Sequence, residues 1–335
     1  MTAEIGTLLT AMITPFKKDG SVDYEAAEKL AVMLVADGSD GVVVSGTTGE
    51  SPALSDDEKV ELVKAIKKAI PGKNVVAGTG SNDTHHSVKL SERAMKAGAD
   101  ALLAVVPYYN KPPQEGMYQH FKAISEIGPT IMYNIQGRTA VNMTAATTLR
   151  CAGLPGIIGV KEASGDLDQI GFVCAGKPAS FKVWSGDDSW TLPVLAAGGY
   201  GVICVVSHIA GRSMKKMIDA YTNGDNDLAR KIHLGLHQLE LALQVWRARL
   251  GLVGHRVTVH RRPAFEHVGD VHIRAAEADP GEEGVEQLAC GAHKWLALPV
   301  FIEAWRLAHD QDVGGAWTDP RHRLGARCVQ AAVLA

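Results

Sequence analysis

Eight short runs rich in Val, Ile and Leu recur along the chain with amphipathic stretches between them. They fall at 8–14 (LLTAMIT), 41–46 (GVVVSG), 74–80 (NVVAGTG), 101–107 (ALLAVVP), 130–135 (TIMYNI), 157–163 (IIGVKEA), 181–187 (FKVWSGD) and 201–208 (GVICVVSH), with starts 20 to 33 residues apart. Buried strands alternating with helical stretches are the pattern of βα units in a parallel sheet. Eight units in about 200 residues is what a (β/α)8 barrel requires. A doubly wound sheet more often has fewer strands and a glycine-rich phosphate turn after the first. Here the first run ends in TPF, and the GTG at 78–80 lacks the third glycine of a dinucleotide fingerprint. The expected fold is therefore α/β, a (β/α)8 TIM barrel over residues 1–224, followed by a helical or irregular region over 225–335.

Helix-start chemistry divides the chain the same way. Ser55 precedes DDEKVELVKAIKKAI with Glu58 three residues on, a capping box with acids in the first turn and lysines in the last, closed by Pro71-Gly72. Asp23 opens YEAAEKLAVMLVADG, and Asp83 or Thr84 opens the helix that runs to Gly98.

Composition narrows the function classes. Apolar residues make up 46% and charged residues 21% of 335, the balance of a soluble globular protein. A formal net charge of −3, with no basic stripe interleaved with aromatics, argues against nucleic acid or an anionic membrane as partner. Cys151, Cys174, Cys204, Cys290 and Cys328 form no CxxC pair, so free thiols in a reducing compartment, the cytoplasm, are expected. MTAEIGTLLTAMITPF has no basic n-region and is not expected to be a signal peptide. Ser189 to Gly211 carries no Asp, Glu, Lys or Arg, but Pro193 and the glycines at 198, 199 and 201 divide it into a short helix and a buried strand.

The character of the chain changes near Leu239. Before it stand 18 lysines and 5 arginines; from it onward stand 1 lysine and 10 arginines, with four of six tryptophans and seven of thirteen histidines. Helices are expected over 225–250 and 284–309, whereas 251–283 and 311–335 carry no assignable pattern. A reading-frame discontinuity would produce such a switch, and an appended or diverged segment is the rival explanation. His255, His260, His267 and His272 are spaced five, seven and five apart, which matches no helical ligand face or metal clip.

In a barrel the reactive groups sit at the carboxyl ends of the strands. In GIIGVKEAS, residues 156–164, an apolar run leads to Lys161 at such an end, where desolvation favours the neutral amine, a nucleophile toward carbonyls. A lone lysine more often reaches solvent along its stem, so its neighbours must decide. Tyr133, one strand away, is a phenol suited to the proton transfers that a carbinolamine and an enamine require. GTTGES, with Thr47 and Thr48, is a hydroxyl-bearing glycine turn able to hold a small carboxylate. Arg138 suits a second carboxylate. Gly186, Asp187 and Ile203 lie at the ends of strands seven and eight. Tyr108 and Tyr109 point to opposite faces if extended, so at least one is expected to pack.

The motifs GVVVSGTTGES (41–51), PYYNKPPQEGMYQHFKAI (107–124), YNIQGRTAVNM (133–143), GVKEAS (159–164) and GYGVICVVSHIAG (199–211) resemble the dihydrodipicolinate synthase family. Its members are also called 4-hydroxy-tetrahydrodipicolinate synthases, within the pyruvate-dependent class I aldolases, and the likeness covers roughly 5–238. The resemblance implies a Schiff base between Lys161 and pyruvate, a proton relay of Tyr133, Thr47 and Tyr109, and an active homo-oligomer, dimer or tetramer, in which Tyr109 comes from a neighbouring subunit. It further implies that Thr48 binds the pyruvate carboxylate and Arg138 that of aspartate semialdehyde. The Ile203 carbonyl would face bound pyruvate, with Gly186 also in the substrate site. No cofactor or metal is implied; the product would be hydroxytetrahydrodipicolinate, in the diaminopimelate route to lysine.

The chain departs from the family pattern in three places. Gln136 stands where a proline is usual and Ala140 where a glycine is, both in the loop that aims Arg138. The lysine feedback site of the family corresponds to Ser51, Pro52, Asp56, Lys59, Asn82, His86 and Tyr108, several differing from lysine-sensitive members, so tight feedback is not expected. Beyond about 240 no likeness is seen. The competing readings are an N-acetylneuraminate lyase or other sugar-keto-acid aldolase, and a barrel made catalytically silent by its altered tail.

Overall fold

The computed structural model describes residues 4–237. The strands are β1 (Leu8–Ala11), β2 (Gly41–Val44), β3 (Asn74–Gly78), β4 (Ala101–Val105), β5 (Thr130–Asn134), β6 (Ile157–Glu162), β7 (Lys182–Ser185) and β8 (Gly201–Cys204). They close in sequence order into a parallel barrel. Each strand coincides with one of the expected runs but is shorter, because the carboxyl end of each run leaves the ladder to build the loops above the barrel. Ser45, directly after β2, already has a φ of 56°.

Helices α1 (Tyr24–Ala36), α2 (Asp56–Ala69), α3 (Thr84–Lys96) and α4 (Gln114–Ser125) follow β1 to β4. A one-turn helix, α5 (Gln136–Thr139), intervenes between β5 and α6 (Ala145–Cys151); α7 (Leu167–Gly176), α8 (Thr191–Ala196) and α9 (Ser207–Thr222) complete the ring. The caps are those expected: Asp23 accepts from Ala26 N, and Ser55 and Glu58 form the reciprocal box. Of the two candidates for α3 it is Asp83 that caps, accepting from His85 and His86 N.

Alternation along each strand sends one set of side chains inward and the other toward the helices, and a parallel barrel buries both. The inward set includes Leu9, Val43, Val76, Leu103, Ile131, Tyr133, Trp184 and Ile203. Gly159 makes room for the largest of them: a Cβ there would stand 2.6 Å from the Trp184 ring and 2.2 Å from Lys182 O. Trp184 is further held by Nε1 donating to Gly6 O at 3.0 Å.

Of the described residues, 4–15 and 22–233 form one compact unit. Residues 16–21 belong to another and form a turn in which Lys17 N donates to Ser21 O at 2.8 Å. Among the described residues no helix is long and apolar enough to cross a membrane. The uncharged stretch 189–211 divides into α8, β8 and the start of α9. Helix resumes after Asp225 and runs to the last described residue. The remainder of the expected helix over 225–250, that over 284–309, the irregular segments, the four tail histidines, Cys290 and Cys328 lie outside the described residues.

Candidate active site

The register of β5 on β6 pairs Tyr133 with Lys161, and that of β6 on β7 pairs Lys161 with Trp184. All three are in one row across the ladder, and all point into the barrel. Lys161 is 6% exposed and Tyr133 5%. The Lys161 Nζ stands 4.3 Å from the centre of the Tyr133 ring. A primary amine is thus held beside a phenol, on a row of the ladder that also carries the indole of Trp184.

Gly186 N donates to Glu162 O at 2.8 Å, and a Cβ at this glycine would lie 3.2 Å from Lys161 Cε and 2.6 Å from Ala163 Cβ. Ile203 is buried in the same inward cluster as Tyr133, beside Leu9 across the β1–β8 ladder.

The other expected residues occupy the rim. Thr47 is exposed and Thr48 half-buried in a turn closed by Glu50 N donating to Thr47 O at 3.1 Å. Arg138 is exposed on α5. Among the described residues none of these is hydrogen-bonded to Lys161 or Tyr133, so the structure brings Lys161, Tyr133, Gly186 and Ile203 together and leaves Thr47, Thr48, Arg138 and Tyr109 around them.

One expectation about local geometry is changed, and one departure from the family pattern is explained. The tyrosine pair does not follow strand alternation: Tyr109 has a φ of 73° and is 87% exposed, while Tyr108 is 36% exposed. A left-handed residue breaks the extended geometry that would have turned one ring inward. Ala140 caps α5 at a φ of 56°, a conformation in which glycine is unstrained. That accounts for the glycine usual at this position in the resembling family.

A buried polar network that the motifs do not announce lies behind the sheet. Glu162 follows Lys161 on β6 and so faces the opposite side, toward α7, where it is 2% exposed. Its Oε1 accepts from Asn134 Nδ2 at 3.0 Å and Ser164 N at 2.9 Å; Oε2 accepts from Gln169 Nε2 at 3.4 Å. Asn134 is its register partner on β5, so one carboxyl bridges the strands whose other faces carry Tyr133 and Lys161. A second ionisable residue directly after Lys161, within the buried strand, was the available signal.

Burial pushes the Glu162 carboxyl up to about 7, against the pull of Ser164, Asn134 and Gln169. Since this lies above the ordinary value of 4.5, its contribution to stability is complete below pH 4.5 and is lost as pH rises through 7. His120 works in the other direction: burial pushes its imidazole from 6.5 down to about 4, so its contribution is complete above pH 6.5 and is lost as pH falls through 4. The two oppose one another over the same range, and a variant isolates the first. Glu162→Gln is expected to gain about 3 kcal/mol on the parent between pH 4.5 and pH 8, measured as the difference between their urea-unfolding free energies. A pH-independent difference would show that Glu162 does not titrate as described.

Near the amino-terminal ends of α2 and α3, His86 Nε2 lies 2.8 Å from Asp56 Oδ2, with Lys59 Nζ 3.9 Å from Asp56 Oδ1. Burial lowers the Lys59 pKa and the Asp56 charge partly restores it. Cys151, Cys174 and Cys204 are free, and burial raises all three thiols above their ordinary value. Among the described residues no group of three or more His, Cys, Asp or Glu is placed to hold a metal ion.

Known proteins share this architecture and sequence. The model of the dihydrodipicolinate synthetase family matches residues 4–255, which carries the likeness beyond the limit of about 240 read from motifs. A 4-hydroxy-tetrahydrodipicolinate synthase of Moorella thermoacetica is 54% identical over 241 residues, 71% of this chain and 82% of the relative. A dihydrodipicolinate synthase of Cyanidioschyzon merolae, solved with lysine bound, superposes with a TM-score of 0.71 at 42% identity over 75% of this chain and 89% of that one. The chloride-inhibited enzyme of Acinetobacter baumannii, solved with pyruvate, gives 0.69 at 36% identity over 72% and 84%. An eight-stranded parallel barrel with a buried lysine on its sixth strand, matched by that family over three quarters of its length, leaves one assignment: the chain belongs to the dihydrodipicolinate synthetase family.

Proposed function

We propose that this chain is a 4-hydroxy-tetrahydrodipicolinate synthase that condenses pyruvate with aspartate semialdehyde through a Schiff base on Lys161. The observation that carries the reading is the Lys161 amine buried 4.3 Å from the Tyr133 ring centre. The Acinetobacter baumannii relative, solved with pyruvate, supports the first substrate, and the resemblance to the dihydrodipicolinate synthases implies the second. In this reading the Lys161 nitrogen attacks C2 of pyruvate, and the carbinolamine loses water as Tyr133, with Thr47 and Tyr109, moves the protons. Loss of a C3 proton gives an enamine whose carbon attacks the aldehyde. The amino group of the second substrate then displaces Lys161 from C2, closing the ring and freeing the enzyme.

Thr48 holds the pyruvate carboxylate, the Ile203 carbonyl and Gly186 border the bound pyruvate, and Arg138 takes the carboxylate of the aldehyde. Residues 1–224 form the catalytic domain and 225–335 an extension. The exposed Tyr109, on its left-handed backbone, enters the site of a second copy, so the active species is a homo-oligomer. A cytoplasmic location, inferred from the free thiols, belongs to the same reading.

Two experiments test the assignment. The purified chain is incubated with pyruvate and borohydride, and a reduced adduct on Lys161 is sought by peptide mass spectrometry; its absence would overturn the Schiff-base reading. With Arg138→Ala, the KM for aspartate semialdehyde is expected to rise about 10- to 100-fold, the value of a charge-assisted hydrogen-bonded pair. An unchanged KM would remove Arg138 from the site.

A further inference from the structure

A four-residue helix cannot hold itself in place, since one turn of hydrogen bonds does not offset the cost of nucleation. The orientation of α5, and with it the direction of Arg138, must therefore come from ties to its surroundings. At its carboxyl end Thr139 is buried, its Oγ1 within hydrogen-bond reach of Ile135 O at 3.0 Å and Val141 O at 2.9 Å, between which its one proton is shared. At its amino end Gln136 Nε2 donates to Ser164 O at 3.0 Å. Ser164 is itself fixed, because its N–H is held by the buried Glu162 carboxylate on the strand of Lys161.

The Gln136–Ser164 bond thus links the turn that presents Arg138 to the strand that presents Lys161. Residues two apart on a helical turn do not share a face. Holding Gln136 toward the loop after β6 therefore fixes the rotation of the turn that determines where Arg138 stands.

Resting on the reading of Arg138 as the carboxylate anchor, we infer that Gln136 is a positioning residue for the second substrate. It holds α5 in the rotation at which Arg138 receives the carboxylate while the aldehyde carbon meets the nucleophile formed on Lys161. It touches neither substrate. Its loss acts on recognition of the aldehyde and leaves imine formation from pyruvate intact.

The test uses the full chain and the variants Gln136→Ala, Gln136→Met, Arg138→Ala and the double variant Gln136→Ala/Arg138→Ala. Gln136→Met keeps the length of the side chain without its donor. Both Gln136 variants are expected to raise the KM for aspartate semialdehyde about three- to tenfold, the effect of one hydrogen bond. The KM for pyruvate and the rate of borohydride trapping on Lys161 should be unchanged. The double variant should be no worse than Arg138→Ala alone, because both changes act through one group. If Arg138→Ala raises that KM and the Gln136 variants do not, the inference fails while the reading of Arg138 stands. If Arg138→Ala has no effect, the reading itself fails. A Gln136 variant that raises both KM values or slows trapping would show local loss of structure and overturn the positioning role.

Discussion

Lys161→Ala is expected to lower kcat by about 10⁴-fold or more and to abolish the pyruvate adduct trapped by borohydride. The amine is the covalent attachment point in the proposed reaction, and nothing else on the inward row replaces it: its register neighbours are a phenol and an indole. Lys161→Arg should be as inactive, since a guanidinium stays charged and is not a nucleophile. The barrel should survive the change to alanine, because removing a buried polar side-chain end relieves a desolvation cost that offsets much of the lost packing of its methylenes. Circular dichroism and urea unfolding check the fold, and mass spectrometry checks the adduct. A persistent adduct, or a loss of less than about tenfold in kcat, would place the chemistry on another residue.

The second large effect is expected at Tyr133. Tyr133→Phe keeps the ring that packs in the inward cluster and over which the Lys161 nitrogen stands, and removes only the hydroxyl. Positioned proton transfer contributes about 10² to 10⁴ in rate, so kcat should fall by that factor with the melting temperature little changed. The defect should appear already in the rate of trapping with pyruvate alone, because dehydration of the carbinolamine needs the relay before the aldehyde arrives. Tyr133→Leu, by contrast, should also destabilise the chain by loss of the ring from a filled core. If Tyr133→Phe traps pyruvate at the parental rate, the phenol does not serve imine formation.

These expectations separate two kinds of information. The eight strands were legible because buried parallel strands are apolar on both faces, and the helix starts because Asp23, Ser55 and Asp83 cap locally. Lys161 was legible for the same reason, as a charge at the end of an apolar run. The ends of the strands were overestimated, since residues such as Ser45 keep the strand composition while their backbone has already turned. The packing expected of one tyrosine failed on the left-handed geometry of Tyr109, which no neighbouring residue type announces. The network around Glu162 was invisible because its partners Asn134 and Gln169 come from other elements.

What the chain alone determined is the order of its elements and the lysine on its sixth strand, because period, caps and apolar runs act over a few residues. Only the tertiary structure decided that Tyr133 and Lys161 share a row. It likewise decided that a carboxyl directly behind them is buried enough to titrate near 7, and that Gln136 reaches Ser164. Register, desolvation and hydrogen bonds between loops depend on segments about thirty residues apart meeting in space, and the parallel pairing of consecutive strands supplies that meeting.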